Sequence, residues 1–166
     1  VRINDQRIAA LKDLKPPRNV KETQKIIGFF TWNKRWIRDF SSICRPLYQL
    51  LQKGRRFEWN RECQNAMDQL SAAMTTSPTL CFPDVKDPLN SYELRVDSSQ
   101  YGYGATLTQI IDNERRIVAY FSKAVPRYKR MWGQTRLEFE GMYQAIKHFD
   151  VYLRNSKEFS VQTDCK

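Results

Sequence analysis

Several things are scarce in this chain of 166 residues, and each scarcity excludes something. His148 is the only histidine, which argues against a histidine-based triad or a histidine metal site within these residues. The four cysteines, at 44, 63, 81 and 165, form no C-x-x-C pair and have no histidine partners, so neither a zinc site nor a disulfide framework is indicated. Reduced intracellular thiols are the expectation. Long apolar runs are missing, so no transmembrane span is expected, and Val1-Arg2-Ile3-Asn4 does not begin a secretory signal. The absence of an initiator methionine reads as a piece of a longer chain or a processed product.

What is present supports a packed core. Hydrophobic residues make up 41% and aromatics 13%, at a length that fits one domain or two small ones. The net charge is +10 and unevenly spread: residues 1–70 carry 15 Lys/Arg against 7 Asp/Glu, residues 71–166 carry 13 against 11. A basic front half with aromatics among its cations points to a polyanionic partner, nucleic acid before others. A basic solvated surface without a ligand has the same composition.

Residues 1–15 place Ile3, Ile8, Leu11 and Leu14 like a short helix or strand–helix connection, broken by Pro16-Pro17. Asn19, with Glu22 three places on, begins a helix or two abutting helices over 20–38. Pro46–Leu51 predicts a short helix ended by Gly54, and Arg55–Trp59 an extended link. Asn60 caps a further helix with Cys63, Ala66, Met67, Leu70, Ala73 and Met74 on one stripe. Residues 75–90 hold Pro78, Pro83 and Pro88 and little periodicity, which marks a linker. Strands follow: Tyr92–Asp97, Gly104–Ile110, a turn at Asp112-Asn113, Arg116–Ser122, then a helix over 134–153 and a fourth strand, Glu158–Asp164.

The chain pivots on Tyr92-Glu93-Leu94-Arg95-Val96-Asp97, whose alternation is that of a strand burying one face. An aspartate at a strand end beside a glycine-containing turn is by itself an ordinary turn-former. The helix over 134–153 adds a second acid. At about 100° per residue, Met142, Ala145, Phe149, Tyr152 and Leu153 fall within about 60° of Glu138, while Glu140 lies about 200° away, toward water. A carboxylate opening a buried stripe is costly unless paired, hydrogen-bonded or bound to a cation. The fourth strand ends in Asp164, which reaches the same place if that strand neighbours the first. Asp97, Glu138 and Asp164 would then be a hard oxygen set suited to magnesium or manganese. Two such ions about 4 Å apart activate a water and stabilise a leaving oxygen in phosphodiester cleavage. Three unrelated surface acids are the other account.

The motifs resemble the region of gypsy-class LTR retrotransposon (Metaviridae-like) Pol polyproteins that runs from the reverse transcriptase thumb into ribonuclease H, an arrangement shared with retroviral and plant pararetroviral enzymes. Ile26-Ile27-Gly28-Phe29 with Trp32–Ile37 is similar to the family's FLGL…YYRRFI, with Asn33 in place of a tyrosine. Arg45-Pro46-Leu47…Leu50-Leu51 with Phe57-Glu58-Trp59 is similar to PL…LL…F-W, and Ser77-Pro78-Thr79-Leu80 to SPVL. Val96-Asp97-Ser98-Ser99 with Gly104–Gln109 resembles DAS…GAVLSQ, and Ala119–Lys123 resembles AYFSRK. Trp132–Glu138 falls on YSTTEKE, with Gly141 and Ala145 on the family's small positions. Thr163-Asp164-Cys165-Lys166 resembles TDHKSL, with Cys165 for the histidine.

The resemblance implies an α+β or α/β architecture. A helical thumb subdomain (1–76) and a Pro-rich linker (77–90) precede an incomplete ribonuclease H-like fold (91–166) of a three-strand antiparallel meander, a long helix and a fourth strand. It implies that Asp97, Glu138 and Asp164 bind two Mg2+ or Mn2+ ions, with a fourth acid in a segment beyond Lys166. The expected function is binding of an RNA–DNA hybrid or template–primer duplex and, in the complete enzyme, hydrolysis of the RNA strand. Lys21, Lys25, Lys34, Arg35 and Arg38 are the candidate phosphate contacts. No Tyr-x-Asp-Asp motif occurs, so polymerisation is expected of upstream fingers and palm. The location implied is intracellular, in a cytoplasmic virus-like particle or nucleoprotein, or nuclear. The alternative is a catalytically inactive nucleic-acid-binding or domesticated scaffold fragment of such an element.

Overall fold

The computed structural model describes residues 5–12, 14–76, 80–84 and 91–164. Helices come first. α1 spans Asp5–Lys12, α2 Val20–Trp32, α3 Phe40–Ile43, α4 Arg45–Gln49 and α5 Arg61–Thr75. The caps read from the sequence are present: Asn19 Oδ1 accepts from the Glu22 amide at 2.9 Å, and the Glu22 carboxylate accepts from the Arg18 amide at 2.8 Å. Asn60 Oδ1 accepts from the Cys63 amide at 3.0 Å and starts α5.

Of the helix or two abutting helices expected over 20–38, α2 takes the first part and ends at Trp32. Asn33 is buried and turns its amide back onto the Phe29 carbonyl at 2.8 Å, a side-chain bond that competes with helix continuation. A single 3-10 turn, Lys34–Trp36, follows. The helical unit closes on Ile27, Phe30, Ile37, Phe40, Leu47, Met67, Leu70 and Met74 among others.

A four-stranded sheet of order β3-β2-β1-β4 makes the second layer. β1 (Ser91–Ser98), β2 (Gly102–Ile111) and β3 (Glu114–Ala124) run antiparallel, and β4 (Glu158–Thr163) lies parallel to β1. Asp112 and Asn113 both take positive φ, 52° and 62°, as a two-residue primed turn requires. α6 (Gln134–Leu153) covers the face formed by Tyr92, Leu94 and Val96, with Leu137, Ala145, Phe149 and Leu153 in the shared core.

Two expectations change. The described part of the proline-rich stretch is fastened to the sheet. Leu80 is fully buried, the Cys81 amide donates to the Ile117 carbonyl at 2.8 Å, and the Gln109 amide group both accepts from and donates to the Asp84 backbone at 2.9 Å. Residues 77–79 and 85–90 lie outside the described residues. Nor does Glu140 simply meet water: it is partly buried, 2.6 Å from Lys129 Nζ and 2.9 Å from Gln144 Nε2. Helical periodicity missed this because Lys129 comes from the turn before α6.

The helical unit touches the opposite face of the sheet. The Ser41 amide donates to Ser122 Oγ at 2.8 Å, and Asp39 Oδ1 sits 2.7 Å from where a Cβ on Gly104 would lie. No helix among the described residues is long and apolar enough to cross a membrane. Cys44, Cys63 and Cys81 are free, and burial pushes the Cys44 thiol up to about 12.

Gly141 is where α6 meets β1. A Cβ there would fall 2.1 Å from Ser98 Oγ and 3.2 Å from Tyr103 Cδ1. Gly141→Ala should therefore destabilise the protein by about 1–3 kcal/mol in urea unfolding, as overpacking does. Ser98 Oγ is buried without a hydrogen-bond partner among the described residues, so Ser98→Ala should cost little alone and recover much of the stability in the double variant.

Candidate active site

Asp97 lies one residue from the end of β1, among the residues that point away from α6. Parallel pairing sets Thr163 beside Val96, so Asp164 follows next to Asp97 across the strands. The two aspartates line one cavity of about 60 Å3 together with Arg38, Asp39, Arg95 and Gly104. Both arginines bring positive charge to it.

Glu138 reaches the same end of the sheet from α6. It is only 4% exposed. Thr163 Oγ1 donates to its Oε2 at 2.9 Å, and Gln134 Nε2 donates to its Oε1 at 2.6 Å. Gln134 gives its other amide hydrogen to the Ser98 carbonyl at 2.7 Å, tying the first turn of α6 to the end of β1. The buried carboxylate is thus satisfied by two neutral donors. It does not line the cavity of the two aspartates, and no group of three or more His, Cys, Asp or Glu among the described residues is placed to hold a metal ion.

The pair Asp97 and Asp164 nonetheless suits a hard cation, because its donors are carboxylate oxygens. Asp39 shows the local crowding: burial holds its carboxyl above the usual range, Arg38 pulls it down and the Asp97 charge pushes it up. A divalent ion relieves that kind of repulsion. Asp39 escaped notice in the sequence because it belongs to the helical unit, with φ of 54°, and meets Asp97 only through tertiary contact. Gln134 and Thr163 were likewise visible only as motif residues.

The five candidate phosphate-binding cations do not form one patch. Lys21 and Lys25 are exposed on α2, and Arg35 lies 5.1 Å from the Trp36 ring centroid. Arg38 pairs with Asp39 at 3.5 Å beside the aspartate cavity. Lys34 lines a different cleft with Lys123, Lys147 and His148, and burial, aided by its charge, keeps His148 below its ordinary value.

A profile of the RNase H-like domain found in reverse transcriptase matches residues 59–161, more than half of the chain. The chain belongs to this family. The match takes in α5 as well as the sheet and α6. The RNase H-like chain is similar to the retrovirus-related Pol polyprotein from transposon 412 of Drosophila melanogaster, 27% identical over 161 residues, covering 97% of this chain and 13% of the relative. It is also 32% identical over 126 residues to the Gag-Pol polyprotein of baboon endogenous virus (strain M7), covering 76% of this chain and 7% of that one. The chain spans a small fraction of these curated relatives. The Pol resemblance read from the motifs therefore holds.

Among solved structures, the foamy viral protease-reverse transcriptase dRH in complex with ds DNA aligns with a TM-score of 0.79 and 18% identity, covering 99% of this chain and 28% of that one. The foamy viral protease-reverse transcriptase in complex with RNA/DNA hybrid gives 0.77 and 19%, covering 98% and 22%. At that identity the likeness shows the fold, an α/β arrangement with a mixed sheet and one long helix.

The Lys129–Glu140 pair gives a pH test. Bonding to Lys129 holds the Glu140 carboxyl below its usual value. A depressed folded-state value contributes stability above the unfolded value, near 4.5, that is lost as pH falls through the folded one. Glu140→Gln should thus lower the thermal midpoint at pH 6, and the difference from the wild type should shrink as pH falls below 4.5 and vanish once it is below the depressed folded-state value.

Proposed function

We propose that this chain is part of a retroelement reverse transcriptase–ribonuclease H that binds an RNA–DNA hybrid and, in the complete enzyme, hydrolyses its RNA strand, using Asp97, Glu138 and Asp164. The observation that carries the reading is the sharing of one cavity by Asp97 and Asp164, with Glu138 bonded to the residue immediately before Asp164. Membership of the RNase H-like family supports it.

Asp97 and Asp164 would hold Mg2+ or Mn2+, which supplies Lewis-acid activation of water and charge stabilisation when bound. Arg38 and Arg95, in the same cavity, would neutralise phosphate oxygens of the strand being cut. Gln134 and Thr163 hold Glu138 ready to orient the attacking water as its carboxylate exchanges the Thr163 hydroxyl for it. Lys21, Lys25 and Arg35 would meet the duplex backbone from the helical unit, with Lys34 and Arg38 nearer the sheet. Upstream polymerase domains and a C-terminal continuation would complete the enzyme.

A second reading, a nucleic-acid-binding piece without catalysis, is favoured by one observation: Glu138 is fully engaged by neutral donors, and the three acids are not grouped as a metal site. Cleavage of an end-labelled RNA–DNA hybrid separates the two. The complete Pol enzyme should cut the RNA strand only with Mg2+ or Mn2+, and Asp97→Asn should slow it by more than about 100-fold, the scale of losing a preorganised electrostatic contact. Hybrid binding with no cutting, or cutting indifferent to Asp97→Asn, would sink the hydrolytic reading.

A further inference from the structure

We propose that a cleft of about 300 Å3 between α4 and the β1–β2 turn is a seat for the phosphodiester backbone of a nucleic-acid duplex, with Arg45, Arg55, Arg127 and Arg130 as its donors. The inference rests on the nucleic-acid reading above and adds a site to it that none of the five candidate cations occupies.

Charge is the first argument. Four arginines line this cleft and, among the described residues, no carboxylate does. Among the described residues, Arg38, Arg95, Arg115, Arg116 and Arg154 each lie within 4 Å of an acid, and these four do not. Guanidinium groups gathered in a concave surface without counter-charge repel one another and raise the local concentration of anions.

Preorganisation is the second. The Arg45 guanidinium stacks 3.9 Å from the Tyr101 ring centroid, and Arg130 lies 5.8 Å from the same ring. Stacking fixes the plane of the fork and leaves its edge N–H groups free for phosphate oxygens. Arg130 donates its Nε–H to the Val125 carbonyl at 3.3 Å, and Arg55 bonds Gln49 Oε1 at 3.4 Å, so both are held in place while further N–H groups remain for a ligand. Arginines fixed this way lose less entropy on binding than lysines on a solvated face.

Position is the third. Tyr101 lies four residues beyond Asp97, so their Cα atoms are at most roughly 14 Å apart. A strand whose phosphates occupy the cleft passes Asp97 within a few nucleotides. The cleft is walled by both units, α4 on one side and residues 127–130 on the other, so a bound backbone would also clamp the two together.

Fluorescence anisotropy of a labelled RNA–DNA hybrid against the 166-residue chain, across a series of KCl concentrations, tests this. Arg45→Gln/Arg130→Gln should weaken binding at least about tenfold and flatten the slope of log K against log salt by about 2, as expected when two phosphates are no longer neutralised. Arg154→Gln, remote and paired with Asp150, should change neither. Arg127→Gln, an exposed position, serves if the double variant loses its circular dichroism spectrum, and should flatten the slope by about 1. Wild-type affinity and slope in the variants overturn the cleft, as does an absence of hybrid binding by the wild type, or displacement by poly-glutamate as effective as by unlabelled duplex. Binding that depends on these arginines, with no cleavage by the complete enzyme, leaves the cleft standing and removes only the hydrolytic reading.

Discussion

A close approach between helix and sheet, at Gly141 over Ser98, is the contact on which the placement of the acids depends. With no side chain at 141, α6 comes down until the space a methyl would fill is occupied by the Ser98 hydroxyl. That contact fixes the helix along β1, and Glu138, one turn earlier, is carried to the strand end. Gln134 then closes the arrangement by bonding both Glu138 and the Ser98 carbonyl. Parallel pairing of β4 with β1 completes it, because a register that sets Thr163 beside Val96 leaves Asp164 beside Asp97.

The second face of the sheet depends on another close approach. Gly104 leaves room for Asp39, and Gly102 for Ser42, whose Oγ would lie 3.0 Å from an added Cβ. These contacts and the Ser41–Ser122 bond join the helical unit to the sheet through small residues rather than a large apolar interface. Each unit keeps its own core. The seam between them is polar and basic, and both the aspartate cavity and the arginine cleft open along it.

Much of the fold was legible. Asn19 and Asn60 cap because a short side-chain acceptor satisfies a free helix amide whatever surrounds it. Asp112-Asn113 turns the hairpin because both residues tolerate positive φ. The stripe that singled out Glu138 is a property of helix geometry, and the structure buries that residue as the stripe demands. The end of α2 was less legible, since Asn33 stops the helix through a side-chain bond that only a buried environment makes decisive. Glu93 shows the same limit: strand alternation points it outward, yet Arg95 of its own strand, Gln162 of the neighbouring β4 and Arg115, reaching over β2 from β3, enclose it.

By itself the sequence determined most of the elements and the family, and it singled out the three acids as candidates, because caps, turns, periodicity and ordered motifs are local or additive along the chain. Only the tertiary structure decided what those acids touch. It gave Asp97 and Asp164 a common cavity, turned Glu138 to Thr163 and Gln134, and brought Asp39 in from the helical unit. It also gathered arginines from 45 to 130 around one tyrosine. Such meetings depend on strand order and on how closely two surfaces approach, quantities that no spacing along the chain encodes.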